Sequence, residues 1–380
     1  MTDRIRPTGL AFDDVLLVPA RTPLQSRADA DTTTTLVPGL RLTVPFLSAN
    51  TQWCTEDAMA VAMARLGGIG ILHRMQTIED QVEQLGTVKT VPSTSPVGFT
   101  AAVDGDRRLA VGAAVGTTGD YIERAHALAA AGADVLVVDV AHGHSDHVIA
   151  AVRRLREEVR PALVAGNVAT AAAVRDLVAA GAAAVKVGIG PGGVCTTRRV
   201  TGCGVPQLTA ILDCATAARE LGVTLIADGG IRAPGDVTKA LAAGADTVML
   251  GSALAGTDES AALLVDGPDG PCKMSRGFAT MGMTLTLKLA RGEEVTQEEL
   301  DDYTPEGIEM TFAYAGPLRN TIQRFRGGLR SGMSYCGAET ISDLRRAEFI
   351  PITNAGASES RPHAAEATHQ LPFERTAHMG

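Results

Sequence analysis

Ala129-Ala-Ala-Gly-Ala-Asp-Val-Leu-Val-Val138 is the stretch that decides the fold, because it recurs. Ala179-Ala-Gly-Ala-Ala-Ala-Val-Lys-Val187 and Ala242-Ala-Gly-Ala-Asp-Thr-Val-Met-Leu250 repeat its order with nearly the same letters. Each sets an Ala-rich helix end before a glycine (Gly132, Gly181, Gly244) and a mostly apolar run after it. Glycine accepts the left-handed backbone just beyond a helix. A near-continuous apolar run is what a parallel strand covered by helices looks like. The repeat is therefore a helix-to-strand junction used again and again.

Working outward from these junctions, eight apolar runs read as strands: 46–50, 68–72, 109–116, 134–140, 162–168, 183–189, 224–230 and 247–252. Helical patterns separate them, for example over 56–66, 119–131, 146–158, 171–180 and 207–221. Eight consecutive βα units predict an α/β protein, a (β/α)8 TIM barrel spanning residues 1–353, with a doubly wound sheet as the less economical alternative. Two segments break the alternation. Residues 90–108 read as a short loop, and residues 267–320, after the eighth strand, as an inserted flap on the active-site face. The polar stretch 354–380 reads as a disordered tail.

The balance of 43 acidic against 34 basic residues gives a net charge of −9, which argues against a nucleic-acid or anionic-membrane surface. No apolar run reaches the roughly 18 residues of a membrane span, and the N-terminus lacks a signal-peptide core. The six cysteines form no Cys-x-x-Cys pair and read as free thiols in a reducing, cytoplasmic setting.

Several strands run into glycine or polar residues at their C-terminal ends: Gly166-Asn167, Gly188-Ile-Gly-Pro-Gly-Gly193, Asp228-Gly-Gly230 and Gly251-Ser252. In a barrel those ends form the active-site face, and the last two strands are the usual phosphate site. The densest segment, 188–207, contains Gly188, Gly190 and Gly193 in a literal G-x-G-x-x-G, but no helix opens there and the dinucleotide reading fails on context. What remains is a thiol, Cys195, on a Gly-rich loop beside Arg198 and Arg199, whose charge favours a nucleophilic thiolate. Lys186 lies mid-strand; it reads equally as an outward residue of the helix–strand layer or, as a minor alternative, a Schiff-base lysine. His142, His144 and His147 lie on a strand-end loop without the spacing of a helical metal face, and the acidic run 293–302 reads as a solvated flap surface.

Pro191-Gly-Gly-Val-Cys-Thr-Thr-Arg198 with Gly204-Val-Pro-Gln207 resembles the catalytic loop of the IMP dehydrogenase / GMP reductase family. Phe12-Asp-Asp-Val-Leu-Leu-Val-Pro19, Ala227-Asp-Gly-Gly-Ile231, Thr304-Pro-Glu-Gly-Ile-Glu309 and Gly327-Gly-Leu-Arg-Ser-Gly-Met333 extend the resemblance over nearly the whole barrel. It implies that Cys195 attacks C2 of a purine nucleotide with Thr197 as proton-transfer partner. Asp228 would hold the ribose hydroxyls, Gly193, Gly230, Gly251, Ser252 and Gly277 would bind the nucleotide around its phosphate, and Glu306 would read the purine N1 edge. Asp139 and Asn167 match positions facing the nicotinamide cofactor. Carbonyls of Gly190, Gly192 and Cys195 match a potassium site, and the family is typically a homotetramer.

The two family reactions part at the fate of the covalent adduct. A dehydrogenase passes hydride from IMP to NAD and hydrolyses the adduct with the help of an Arg-Tyr pair on the flap. Between Gly277 and Pro305 this chain has no Arg-Tyr dipeptide; Arg291 and Tyr303 stand apart. Common reductases carry a Glu where this chain has Met281, leaving Thr280, Glu306 or a water as substitutes. Asn50-Thr-Gln-Trp-Cys54 departs from the usual Met-Asp-Thr-Val, and no CBS module fits into 90–108. The pattern resembles a divergent actinobacterial reductase branch. It implies NADPH-dependent conversion of GMP to IMP and ammonia, with IMP dehydrogenase using NAD as the alternative and a non-catalytic nucleotide sensor as a lesser one.

Overall fold

The computed structural model describes residues 5–267, 270–276 and 309–360. A short strand β1 (Val15–Leu17) and a hairpin of β2 (Thr34–Val37) and β3 (Leu40–Leu42) precede the barrel. The barrel strands are β4 (Phe46–Ser48), β5 (Ile69–Leu72), β6 (Val111–Val115), β7 (Val135–Asp139), β8 (Ala162–Val168), β9 (Ala184–Val187), β10 (Thr224–Asp228) and β11 (Thr247–Leu250). They follow chain order around a closed barrel, every neighbour parallel, with β11 returning to β4. All eight runs predicted from sequence are these strands: 162–168 coincides with β8, and the other seven are each one to three residues shorter.

The helices are α1 (Asp57–Arg65), α2 (Ile78–Thr90), α3 (Tyr121–Ala130), α4 (Asp146–Glu158), α5 (Ala171–Ala179), the single turn α6 (Thr197–Thr201), α7 (Gln207–Leu221), α8 (Pro234–Ala242) and α9 (Leu318–Tyr335). The three repeated junctions end as expected, with Gly132, Gly181 and Gly244 at φ of +94°, +113° and +111°. Burial follows the strand pattern: Val135–Val138, Ala184–Val187 and Thr247–Leu250 are buried on both faces.

Helix α9 closes the ring of helices by lying against α8 and α1. Its glycines set the approach, since a Cβ on Gly328 would stand 2.2 Å from Pro234 and one on Gly332 would stand 2.6 Å from Thr238. That gives the Gly327–Met333 motif a packing role. Phe325 on the same helix meets Phe46 of β4 edge to face, ring centres 6.3 Å apart, at the start of the barrel.

Around the segment 267–320, expected to be a flap, β12 (Leu263–Gly267), β13 (Gly270–Arg276) and β14 (Glu309–Ala313) form an antiparallel sheet, and α9 starts at Leu318. Residues 277–308 lie outside the described residues. The tail expected from residue 354 begins with a helical turn over Asn354–Glu359, capped by the Thr353 hydroxyl; residues 361–380 lie outside the described residues. Just before it, β15 (Phe349–Pro351) pairs antiparallel with β1, clasping the two ends of the barrel unit together.

The 90–108 connection is anchored from two sides. Lys89 at the end of α2 places its ammonium 3.0 Å from Asp104 and 2.7 Å from Asp134, with all three side chains largely buried. Asp134 also accepts the Val111 N–H at 2.7 Å, which stitches the start of β6 to the junction before β7. On the outside, the Arg326 guanidinium of α9 sits 3.9 Å over the Phe99 ring and donates to the Gly98 carbonyl.

Candidate active site

A cavity of about 220 Å3 opens at the C-terminal ends of the barrel strands. The residues singled out from sequence converge on it. Cys195, Thr197, Gly190, Gly192 and Gly193 come from the loop after β9, Asp228 and Gly230 from the end of β10, and Gly251 and Ser252 from the end of β11. Asp139 ends β7 and Asn167 lies near the end of β8. Gly277 and Glu306 lie outside the described residues.

Cys195 is half-buried, and its thiol donates to the Thr197 hydroxyl at 3.2 Å. The loop that carries it is shaped by two devices. The Cys195 N–H donates to the Gly192 carbonyl at 3.1 Å, making a tight turn. Arg198 then spans the loop base, donating from Nε to the Ile189 carbonyl at 3.0 Å and from Nη2 to the Val205 carbonyl at 2.6 Å. The guanidinium is thus a brace for the loop that also stands near the thiol.

Gly188, at the exit of β9, is required by close approach: a Cβ there would lie 2.1 Å from the Asp228 carbonyl oxygen, at φ +153°. Gln207 at the start of α7 fills the remaining space, donating to the Val187 and Asp228 carbonyls at 2.9 and 3.0 Å. The motif residues around the loop therefore interlock β9 and β10.

Beneath the loop the cavity floor is ionic, and here the structure corrects the sequence. Lys186 is neither an outward residue of the helix–strand layer nor available for imine chemistry. It points into the barrel, 2% exposed, and donates to Asp139 Oδ1 and Asp228 Oδ2, both at 2.7 Å, and to Asn167 Oδ1. Asn167 Nδ2 donates in turn to Asp228 Oδ2 at 2.9 Å and to the Gly188 carbonyl at 2.8 Å. Burial alone would depress the Lys186 pKa, but the two carboxylates outweigh it and hold the ammonium charged well above its usual range. Burial likewise would raise Asp139; Lys186 first, then Arg74 and a hydrogen bond from Asn50, pull its carboxyl below the ordinary value.

Lys186 was the residue sequence reasoning misplaced, and a signal existed. Along β9 the side chains alternate between the helix layer and the barrel interior, and a lone lysine among Val185 and Val187 can be buried inside only if anions meet it. Asp139 and Asp228 are those anions. The wall formed by Asn50, Thr51, Trp53 and Cys54 was noted only as a departure from the family pattern; it lines the same cavity. Cys54 is fully buried, which pushes its thiol up to about 11 and makes it unreactive beside Cys195.

The histidine loop carries no metal set. His144 pairs with Asp176 at 2.8 Å, His147 with the Ser145 hydroxyl at 3.1 Å, and no cluster of metal-ligating side chains occurs among the described residues. No helix among the described residues is long and apolar enough to cross a membrane.

A family model for the IMP dehydrogenase / GMP reductase domain matches residues 9–363. The chain is 36% identical to an inosine-5'-monophosphate dehydrogenase of Nitrosopumilus maritimus, with 93% of this chain and 98% of that protein aligned. It is 36% identical to a GMP reductase of Leishmania major, over 94% of this chain and 97% of that one. These alignments extend over 466 and 480 positions, so both relatives carry stretches with no counterpart in the 380 residues here. Among solved structures, a GMP reductase variant from Trypanosoma brucei in complex with guanosine 5'-monophosphate superposes with a TM-score of 0.88 at 34% identity, covering 95% of this chain and 99% of that one.

Proposed function

Because this chain belongs to the IMP dehydrogenase / GMP reductase family, we propose that it is a GMP reductase that converts GMP and NADPH to IMP, ammonia and NADP through a Cys195–purine adduct. The observation that carries this reading is the absence of an Arg-Tyr dipeptide between Gly277 and Pro305, in a chain that keeps the Cys195–Thr197 pair at 3.2 Å. Hydrolysis of the adduct needs a base to activate water; hydride capture does not.

In this reading the Cys195 sulfur adds to C2 of the purine as its thiol proton is relayed through the Thr197 hydroxyl toward the departing 2-amino group. The 2-amino group takes up protons and leaves as ammonia. NADPH, held on the Asp139 and Asn167 side, would supply a hydride to C2, and the C–S bond would then break to return the thiolate and release IMP. Each group in the cleft has a task. Asp228 accepts the ribose hydroxyls, and backbone N–H groups around Gly193, Gly230, Gly251 and Ser252 meet the phosphate, as anion sites built on glycine-rich backbone do. The family resemblance assigns Gly277 and Glu306, which lie outside the described residues, to the same nucleotide. Asp139 and Asn167 face the nicotinamide side, and the Arg198 brace keeps the thiol at the mouth.

The loop also fits a potassium ion. Gly190, Gly192 and Cys195 offer carbonyls, and a carbonyl that already accepts one N–H, as Gly192 does, retains a second lone pair. A bound cation there would stiffen the loop. In the same reading the enzyme is a cytoplasmic homotetramer.

A second reading, IMP dehydrogenase, is favoured by one feature, the dehydrogenase-like Pro305-Glu-Gly-Ile-Glu309. The test is a pair of assays on purified protein that follow reduced-nicotinamide absorbance: GMP with NADPH, and IMP with NAD and potassium. Loss of absorbance with release of ammonia in the first establishes the reductase. A rise in the second alone refutes it and means that water is activated without the Arg-Tyr pair. Nucleotide binding with turnover in neither assay would identify a sensor.

A further inference from the structure

The cavity floor holds two carboxylates, Asp139 and Asp228, and a single ammonium between them. All three Lys186 N–H donors are used, on Asp139, Asp228 and Asn167. Asn167 returns one of its own donors to Asp228 Oδ2. These three side chains sum to minus one, Arg74 adds a weaker pull on Asp139 alone, and the Lys186 ammonium cannot neutralise one carboxylate fully while serving the other. Both bonds to Asp228 land on Oδ2, and among the described residues Oδ1 accepts none. A carboxylate that shares its cation keeps more negative charge, and is the stronger acceptor for a hydroxyl.

We propose that Lys186 is a positioning residue that divides its charge between the two halves of the cleft, so that Asp139, on the dinucleotide side, sets how strongly Asp228 holds the purine nucleotide. This rests on the reading that a purine nucleotide occupies the Asp228 side. The floor then acts as a balance: what is done to one carboxylate is felt at the other through the ammonium, without any movement of the backbone.

The arrangement makes a prediction that simple packing would not. In Asp139→Asn, Lys186 pairs one-to-one with Asp228, and the nucleotide should bind about three- to tenfold more weakly although its own ligands are intact. In the double variant Asp139→Asn/Lys186→Gln, Asp228 is again under-neutralised and still held by Asn167, so affinity should return to within about twofold of wild type. That double variant carries the same net floor charge as wild type, which keeps folding from clouding the result. Lys186→Gln alone takes the shared cation from both carboxylates at once and is not needed.

The measurement is GMP and IMP binding without a dinucleotide, followed by fluorescence of the chain's single tryptophan, Trp53, which lines the cleft, and checked by calorimetry. Weakening in the single variant with recovery in the double one supports the inference. An Asp139→Asn affinity within twofold of wild type, or a double variant no tighter than the single one, overturns it. If wild type binds neither nucleotide, the functional reading falls and the inference falls with it; if wild type binds and only the variants disagree, the inference alone falls.

Discussion

Lys89→Met tests the seam that ties the 90–108 connection to the barrel. Methionine keeps the apolar stem, whose Cε lies near Gly132, and removes only the ammonium. Asp104 retains Arg108 at 2.9 Å, so the loss falls on Asp134, whose side chain is 12% exposed and keeps the Val111 N–H, with Arg108 acting on it only at a distance. Breaking one side of a buried ion pair costs about 3–5 kcal/mol. With one hydrogen bond left to Asp134, about 3 kcal/mol is expected, roughly a 150-fold shift in the folding equilibrium.

The pH dependence supplies a second, independent check. Burial already raises the Asp134 pKa in the wild type, against the pull of Lys89. A carboxyl raised by folding contributes stability that is fully present below its unfolded pKa and is lost as the pH rises through its folded pKa. Removing Lys89 raises the folded pKa further. The deficit of the variant should therefore be full at neutral pH and shrink as the pH falls through that raised value. Urea unfolding followed by circular dichroism at neutral and mildly acidic pH measures both effects. A deficit under about 1 kcal/mol, or one that grows in acid, would refute the reasoning.

Three further substitutions address the site. Cys195→Ser should reduce turnover by about a thousandfold or more while leaving nucleotide affinity within a few fold, measured by steady-state rates beside calorimetry. Arg198→Ala removes both tethers of the 189–205 loop; a 10- to 100-fold fall in kcat (~1.4–2.7 kcal/mol) is expected, with faster alkylation of Cys195 seen by mass spectrometry, and unchanged rates in both assays would count against the brace. Gly188→Ala must displace the Asp228 carbonyl from a Cβ at 2.1 Å, so a loss of about 2 kcal/mol or more in thermal or urea unfolding is expected. A near-neutral result would mean that β9 and β10 can part freely.

Much of the barrel was legible because its signals are local. The helix end, the glycine and the apolar run occur within ten residues of one another, so the junctions at Gly132, Gly181 and Gly244 could be read in a single window. The loop carrying Cys195 stood out for the same reason, since Gly190 to Arg198 are contiguous. What escaped depends on which distant residues face each other. The place of Lys186 follows from the register that sets Gly166 and Ile226 beside it, and from anions that lie 47 and 42 positions away. The Lys89–Asp134 pair spans 45 positions, and no periodicity points to it. The β12–β14 sheet escaped because its strands are largely exposed, Leu263 and Leu264 among them, so neither alternation nor an apolar run marks them. The tail's first turn escaped because a six-residue helix held by a Thr353 cap carries no amphipathic pattern.

The pairing of β1 with β15 makes the chain close to a ring. Val15 stands opposite Pro351 and Leu17 opposite Phe349, and the Ile352 N–H reaches back to the Asp14 carbonyl at 2.9 Å. Neighbouring strands lie about 4.8 Å apart, a gap that a few residues bridge. The order in which the eight units are written along the polypeptide is therefore almost independent of how they are arranged in space. A chain joined across the clasp and reopened near Val97, which is 90% exposed, would retain every strand pairing of the barrel and the whole of the Cys195 loop.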